Sequence, residues 1–94
     1  MAHEDTQGVI YLEVDEDITS AIDKLSNNSS DAIQIVTAKR STLFQSVINL
    51  KLLKKAAADG NKHLVLVTSD RVAKNLASRI GVAVAPQVGE PASV

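Results

Sequence analysis

Apolar positions along this chain alternate between two periods. "VIYLEV", Val9 to Val14, is β-branched and apolar and predicts a strand. In the stretch that follows, Ile18, Ala21, Ile22 and Leu25 fall at i, i+3, i+4 and i+7, one face of a short helix. Asp17 is placed to cap its start, and Asn27-Asn28-Ser29-Ser30 to stop it. "AIQIVT", Ala32 to Thr37, predicts a second strand. A long helix is expected from Thr42 to Asp59, with Gly60 as its left-handed cap. "HLVLVTS" is the third and most apolar strand. Ser69 or Asp70 caps a last helix, with Val72, Leu76, Ala77 and Ile80 inward and Gly81 at its end. "VAVA", Val82 to Ala85, is a short final strand.

Strands alternating with helices imply βαβ units, a parallel sheet and right-handed crossovers. The expected fold is therefore α/β: a small three-layer, Rossmann-like or flavodoxin-like sheet of four strands with three helices. Strand order 2-1-3-4 is preferred because it keeps the third strand off the edge, and 1-2-3-4 is the alternative. Three helices cover four strands poorly either way. In the first order one face carries a single short helix; in the second, one face is bare. Val9, Tyr11 and Glu13 share one side of the first strand, and Ala32, Gln34 and Val36 one side of the second. Glu13 and Gln34 in such positions point to a face that is half wet or covered by another chain.

The long helix repeats the theme. Leu43, Val47, Leu50, Leu53 and Ala57 form its core stripe, while Phe44, Ile48 and Leu52 form a second one. That second stripe either packs on neighbouring helices or, with Tyr11, belongs to a protein interface. Asn49, turned inward, needs a backbone partner for its amide.

Composition narrows the functional classes. Ninety-four residues make one small domain, here expected over 8–86, with a tail over 1–7 and a linker or tail over 87–94. The chain has no cysteine, which removes thiolate metal sites and cysteine nucleophiles. Ten basic and eleven acidic residues nearly cancel, and Tyr11 and Phe44 are the only aromatics. Neither a nucleic-acid field nor a stacking platform is implied. No apolar run reaches the roughly 20 residues that span a bilayer, and the polar start is no signal peptide. The expectation is a cytoplasmic segment with no direct membrane contact.

Ligands of open parallel sheets bind beyond the carboxyl ends of the strands. Three turns meet there: Asp15-Glu16-Asp17, Lys39-Arg40-Ser41-Thr42 and Thr68-Ser69-Asp70-Arg71. Lys39, Arg40, Ser41, Thr42 and Ser69 are candidate anion-binding residues, since helix starts attract phosphate. No glycine is present to curl a loop round a phosphate, and Ser41 or Thr42 equally suits a helix cap. Asp15, Asp17 and Asp70 are candidate Mg²⁺ ligands, provided the first and third strands are neighbours. The alternative is that Asp17 and Asp70 cap helices while Asp15 and Glu16 pair with Lys39 and Arg40. His3 and His63 stand apart, and no catalytic or cofactor motif is present.

"VIYLEVDEDITSAIDKL", "KRSTLFQSVINLKLLKKAA" and "HLVLVTSDRVAKNLASRIGVAVAP" together resemble an uncharacterised bacterial domain found at the N-terminus of membrane-anchored, baseplate-J-like proteins. The resemblance covers Gly8 to Pro86 and carries no active residues with it. It implies a cytosolic domain, ahead of a linker and a membrane span; separately, no cofactor is expected. A non-enzymatic interaction or scaffolding module, binding a protein partner or its own copy, is the leading functional expectation. A small anion or nucleotide binder comes next, and a Mg²⁺-dependent phosphoryl-transfer or receiver-like domain after it.

Overall fold

A computed structural model describes residues 8–38 and 41–89. Its elements are β1 (Val9–Leu12), α1 (Ile18–Asn27), β2 (Ala32–Thr37), a 3₁₀ turn (Leu43–Gln45), α2 (Val47–Asp59), β3 (His63–Val67), α3 (Arg71–Ile80) and β4 (Ala83–Ala85). All pairings are parallel, and the order is β1-β2-β3-β4. The alternative order is thus the observed one, and 2-1-3-4 is not. The six-residue β2 takes an interior place beside β3, and the four-residue β1 takes an edge.

This order decides the layering. Each right-handed crossover steps the chain the same way across the sheet, so all three helices fall on one face. The buried cluster contains Ile10, Leu12, Ile33, Ile35, Leu64, Leu66 and Val84, one alternate set of strand positions, together with residues of every helix. The domain has two layers, where three were expected.

Local capping fixes most boundaries. Asp17 accepts from Ser20 N–H at 3.0 Å and Asp70 from Ala73 N–H at 2.9 Å, capping α1 and α3. Gly81, at φ 79°, closes α3: Val82 N–H bonds the Ala77 carbonyl and Gly81 N–H that of Ser78. α2 closes by the same pattern through Lys62 to Ala57 and Asn61 to Ala58. There Asn61, at φ 56°, takes the left-handed position expected of Gly60, whose φ is −95°.

Other expectations shift for local reasons. β1 stops at Leu12, because Glu13 and Glu16 close a turn: Glu16 N–H bonds the Glu13 carbonyl and Glu13 N–H the Glu16 carboxylate. α2 starts at Val47, with Ser46 as its cap on Asn49 N–H. Residues 43–45 form a tighter turn ahead of extended Ser46, which breaks the helical phase. Leu43 and Phe44 both point into the core as a result, and Val47 is exposed. Asn49 finds the backbone partner it needed, its Nδ2 donating to the Leu43 carbonyl at 3.1 Å. In α3 the inward stripe centres on Ala73 and Ala77 with Leu76 and Ile80 beside it, so Val72 lies about 90° away and is exposed.

Gly8 fixes the entry to the sheet. It sits at φ 66°, and its carbonyl accepts from Gln34 N–H at 2.6 Å. A Cβ there would collide with the Ala32 carbonyl oxygen. Gly8→Ala should therefore lower stability by about 2 kcal/mol or more, from backbone strain and displacement of β1. A urea midpoint unchanged from wild type would contradict this role.

Candidate functional site

The carboxyl rim contains less chemistry than the sequence suggested. With β2 between them, β1 and β3 are not neighbours. The Asp15 and Asp17 turn is thus not joined to Asp70, and among the described residues no group of three acidic or histidine side chains could hold a metal. Asp17 and Asp70 serve as helix caps, and Asp15 is exposed.

Of the anion candidates, Ser41 and Ser69 line one cleft. Lys39 and Arg40 lie outside the described residues. Ser41 Oγ accepts from Leu43 N–H at 3.2 Å, Thr42 makes no capping bond, and Ser69 is exposed. A cleft of about 390 Å³ opens here, lined by Thr37, Ser41, Gln45, Thr68, Ser69 and Asp70 among others. The Asp70 carboxylate already occupies the start of α3 and also accepts from Gln45 Nε2 at 3.1 Å. An anion entering the cleft would meet that negative charge. The start of α2, displaced to Ser46, is likewise capped by a side chain from within.

The acidic turn forms a cluster that the sequence reading missed. Glu16 accepts from Lys24 Nζ at 2.8 and 2.9 Å, from Ser20 Oγ at 2.6 Å and from Glu13 N–H at 2.6 Å. The spacing 16, 20, 24 is the signal, a row of i, i+4 neighbours leading into α1. Lys24 first, then Ser20 and the Glu13 amide, hold the Glu16 carboxyl down to about 2.

The sheet face that no helix of the described residues covers is the second site. Strand register sets Val9, Gln34, Val65 and Ala83 in one row across it, and Tyr11, Val36, Val67 and Ala85 in the next. Ala32 and His63 complete it at the amino end. None of these is Asp, Glu, Lys or Arg. Tyr11 is 65% exposed, and Val9, Val36, Val65 and Ala83 are half-buried. Val67 and Ala85, at the carboxyl end, are buried. The chain leaving β4 turns back over this face: Gly89 N–H donates to Gln34 Oε1 at 3.0 Å, a bond from the segment expected to be linker.

Of the four interface candidates, the structure leaves three outward. Tyr11 stands on the uncovered face, while Ile48 (68% exposed) and Leu52 (41%) lie on the outer side of α2. Phe44 is 3% exposed and belongs to the core, turned there by the 3₁₀ segment.

No family model matches the chain, and no curated protein or solved structure matches it. No helix of the described residues is long and apolar enough to cross a membrane.

The Glu16 cluster has a pH signature. Its carboxyl is held down to about 2 when folded, against an ordinary 4.5 when unfolded, so its contribution to stability is full above about 4.5. That contribution falls as pH drops from there toward 2. Urea midpoints measured between pH 5 and 2 should decline less steeply for Glu16→Gln than for wild type. Parallel declines would refute the assignment.

Proposed function

We propose that this domain is a protein-interaction module that docks through its uncovered sheet face onto an apolar surface of another protein. The observation that carries the reading is the charge-free, open part of that face, Tyr11, Val9, Val36 and Val65 around Gln34, beside a layer of helices that all lie on the opposite side; Val67 and Ala85, at its carboxyl end, are buried. Parallel sheets are ordinarily covered on both faces, because their strands bury apolar side chains in both directions. A contiguous apolar face left open on a small domain marks a binding surface. Tyr11 supplies a large, amphipathic anchor of the kind enriched where proteins meet. Gln34, in mid-face, offers an amide whose carbonyl oxygen is engaged by Gly89.

The resemblance to the cytosolic domain of membrane-anchored proteins is compatible with a docking role in a larger assembly. Binding of a small anion has less support, because the Asp70 carboxylate lines the cleft at the carboxyl rim where Ser41 and Ser69 meet.

Site-specific photo-crosslinking in cells tests the reading. A photoreactive residue at Tyr11 or Val65 should give a discrete adduct, and one at Lys51 or Asn75, on the exposed helical side, should not. Equal labelling from both sides, or none from the sheet face, would reject it. Mass spectrometry of the adduct identifies the partner.

A further inference from the structure

Among the described residues no strand pairs with the outer edge of β1, which lies beside that face and presents a different chemistry, main-chain donors and acceptors. Gly8 C=O accepts from Gln34 N–H, so alternate residues of β1 turn their backbone groups toward β2. Ile10 and Leu12 share the inward direction; Val9 and Tyr11 point theirs away from the sheet. The Tyr11 carbonyl accordingly receives Lys24 Nζ, at a long 3.5 Å, from the outer side. Between this edge and α1 lies a cleft of about 430 Å³, lined by Val9, Ile10, Tyr11, Asp23, Lys24 and Asn27 among others. Within Val9–Leu12 there is no proline and no charged residue; Lys24 reaches this edge from α1, and pairing requires its long contact with the Tyr11 carbonyl to give way. The opposite edge is poorer. Ala85 C=O accepts from Thr68 N–H, so in the three-residue β4 only Val84 faces outward.

We infer that β1 pairs antiparallel with β1 of a second copy about a two-fold axis through Ile10, joining two sheets into one. The edge is self-complementary in that register. Val9 N–H and C=O meet those of the partner's Tyr11, and Tyr11 meets the partner's Val9 in the same way. On the uncovered face this sets an aromatic ring against a β-branched side chain at each pair, a favourable cross-strand match. Ile10 meets its own copy on the helical side. The cleft rim is also self-complementary in charge. Asp23 has no ion pair among the described residues, and the axis brings it toward Lys24 of the other α1. A net charge of −1 opposes the approach little. The contact closes on itself, whereas β1-to-β4 pairing would propagate as a filament.

This inference extends the docking reading and fails separately from it. Proline at position 11 removes an outward N–H and no bond of the monomer's own ladder, a place where edge strands tolerate proline. Tyr11→Thr removes the ring and keeps the N–H. In sedimentation equilibrium of the 94-residue chain, wild type should reach a monomer–dimer equilibrium by ~1 mM. Tyr11→Pro should weaken it at least roughly tenfold, and Tyr11→Thr less than about threefold. Amide exchange at Val9 and Tyr11 in wild type should slow as concentration rises, with Ile10 already protected; this readout serves if the proline variant does not fold. A monomer up to ~1 mM, or exchange independent of concentration, overturns the pairing. If both variants lose the dimer equally, the contact runs through the Tyr11 ring: edge pairing fails and face docking stands.

Discussion

The handedness of the βαβ crossover governs this molecule. A chain that adds each strand on the same side of the last must lay every helix on the same face. From that follow the two-layer build, the restriction of the core to one alternate set of strand positions, and the exposed opposite face. A reversal of direction after β1 would have moved α1 across the sheet. α1 would then have met the other alternate set, in which Val9, Tyr11, Val36 and Val65 surround Gln34.

Charged side chains mostly work as fasteners. Lys62 Nζ donates to the carbonyls of Asn28 and Ser30 at 2.6 and 2.8 Å, tying the turn before β2 to the turn before β3. Lys54 Nζ donates to the Ile80 carbonyl at 2.6 Å, at the end of α3 where a cation complements the helix dipole. Asp17 and Asp70 satisfy amides at helix starts, and Glu16 ties the first turn to α1. In a domain whose single core is small, such ties at the layer's ends restrain loops that packing alone would leave loose.

Much of the fold could be read from period and capping. Ala32–Thr37 is the strand its composition indicates, and Asp17, Asp70 and Gly81 hold the capping positions that their chemistry suits. Strand order was legible only as a choice of two, because apolar content places β3 inside the sheet in either. The start of α2 was misleading: Thr42 and Ser46 are equally good caps by type, and the turn between them is settled by burying both Leu43 and Phe44. The candidate site was legible in part. Gln34 already marked the wet side of the sheet, whereas Glu13, read with it, lies in the turn beyond β1; Glu16, Ser20 and Lys24 had a recognisable spacing. The bonds of Gln45 to Asp70 and of Gly89 to Gln34 join residues with no local pattern between them, so only the folded chain reveals them.

The Gly89–Gln34 bond has a mechanical consequence. It moors the outgoing chain to the interior strand β2, past the three-residue β4 that precedes it. Tension applied beyond Gly89 would load that mooring before it could peel β4 from the sheet's rim. The shortest strand of the sheet is thereby set behind that bond for a pull from this end of the chain.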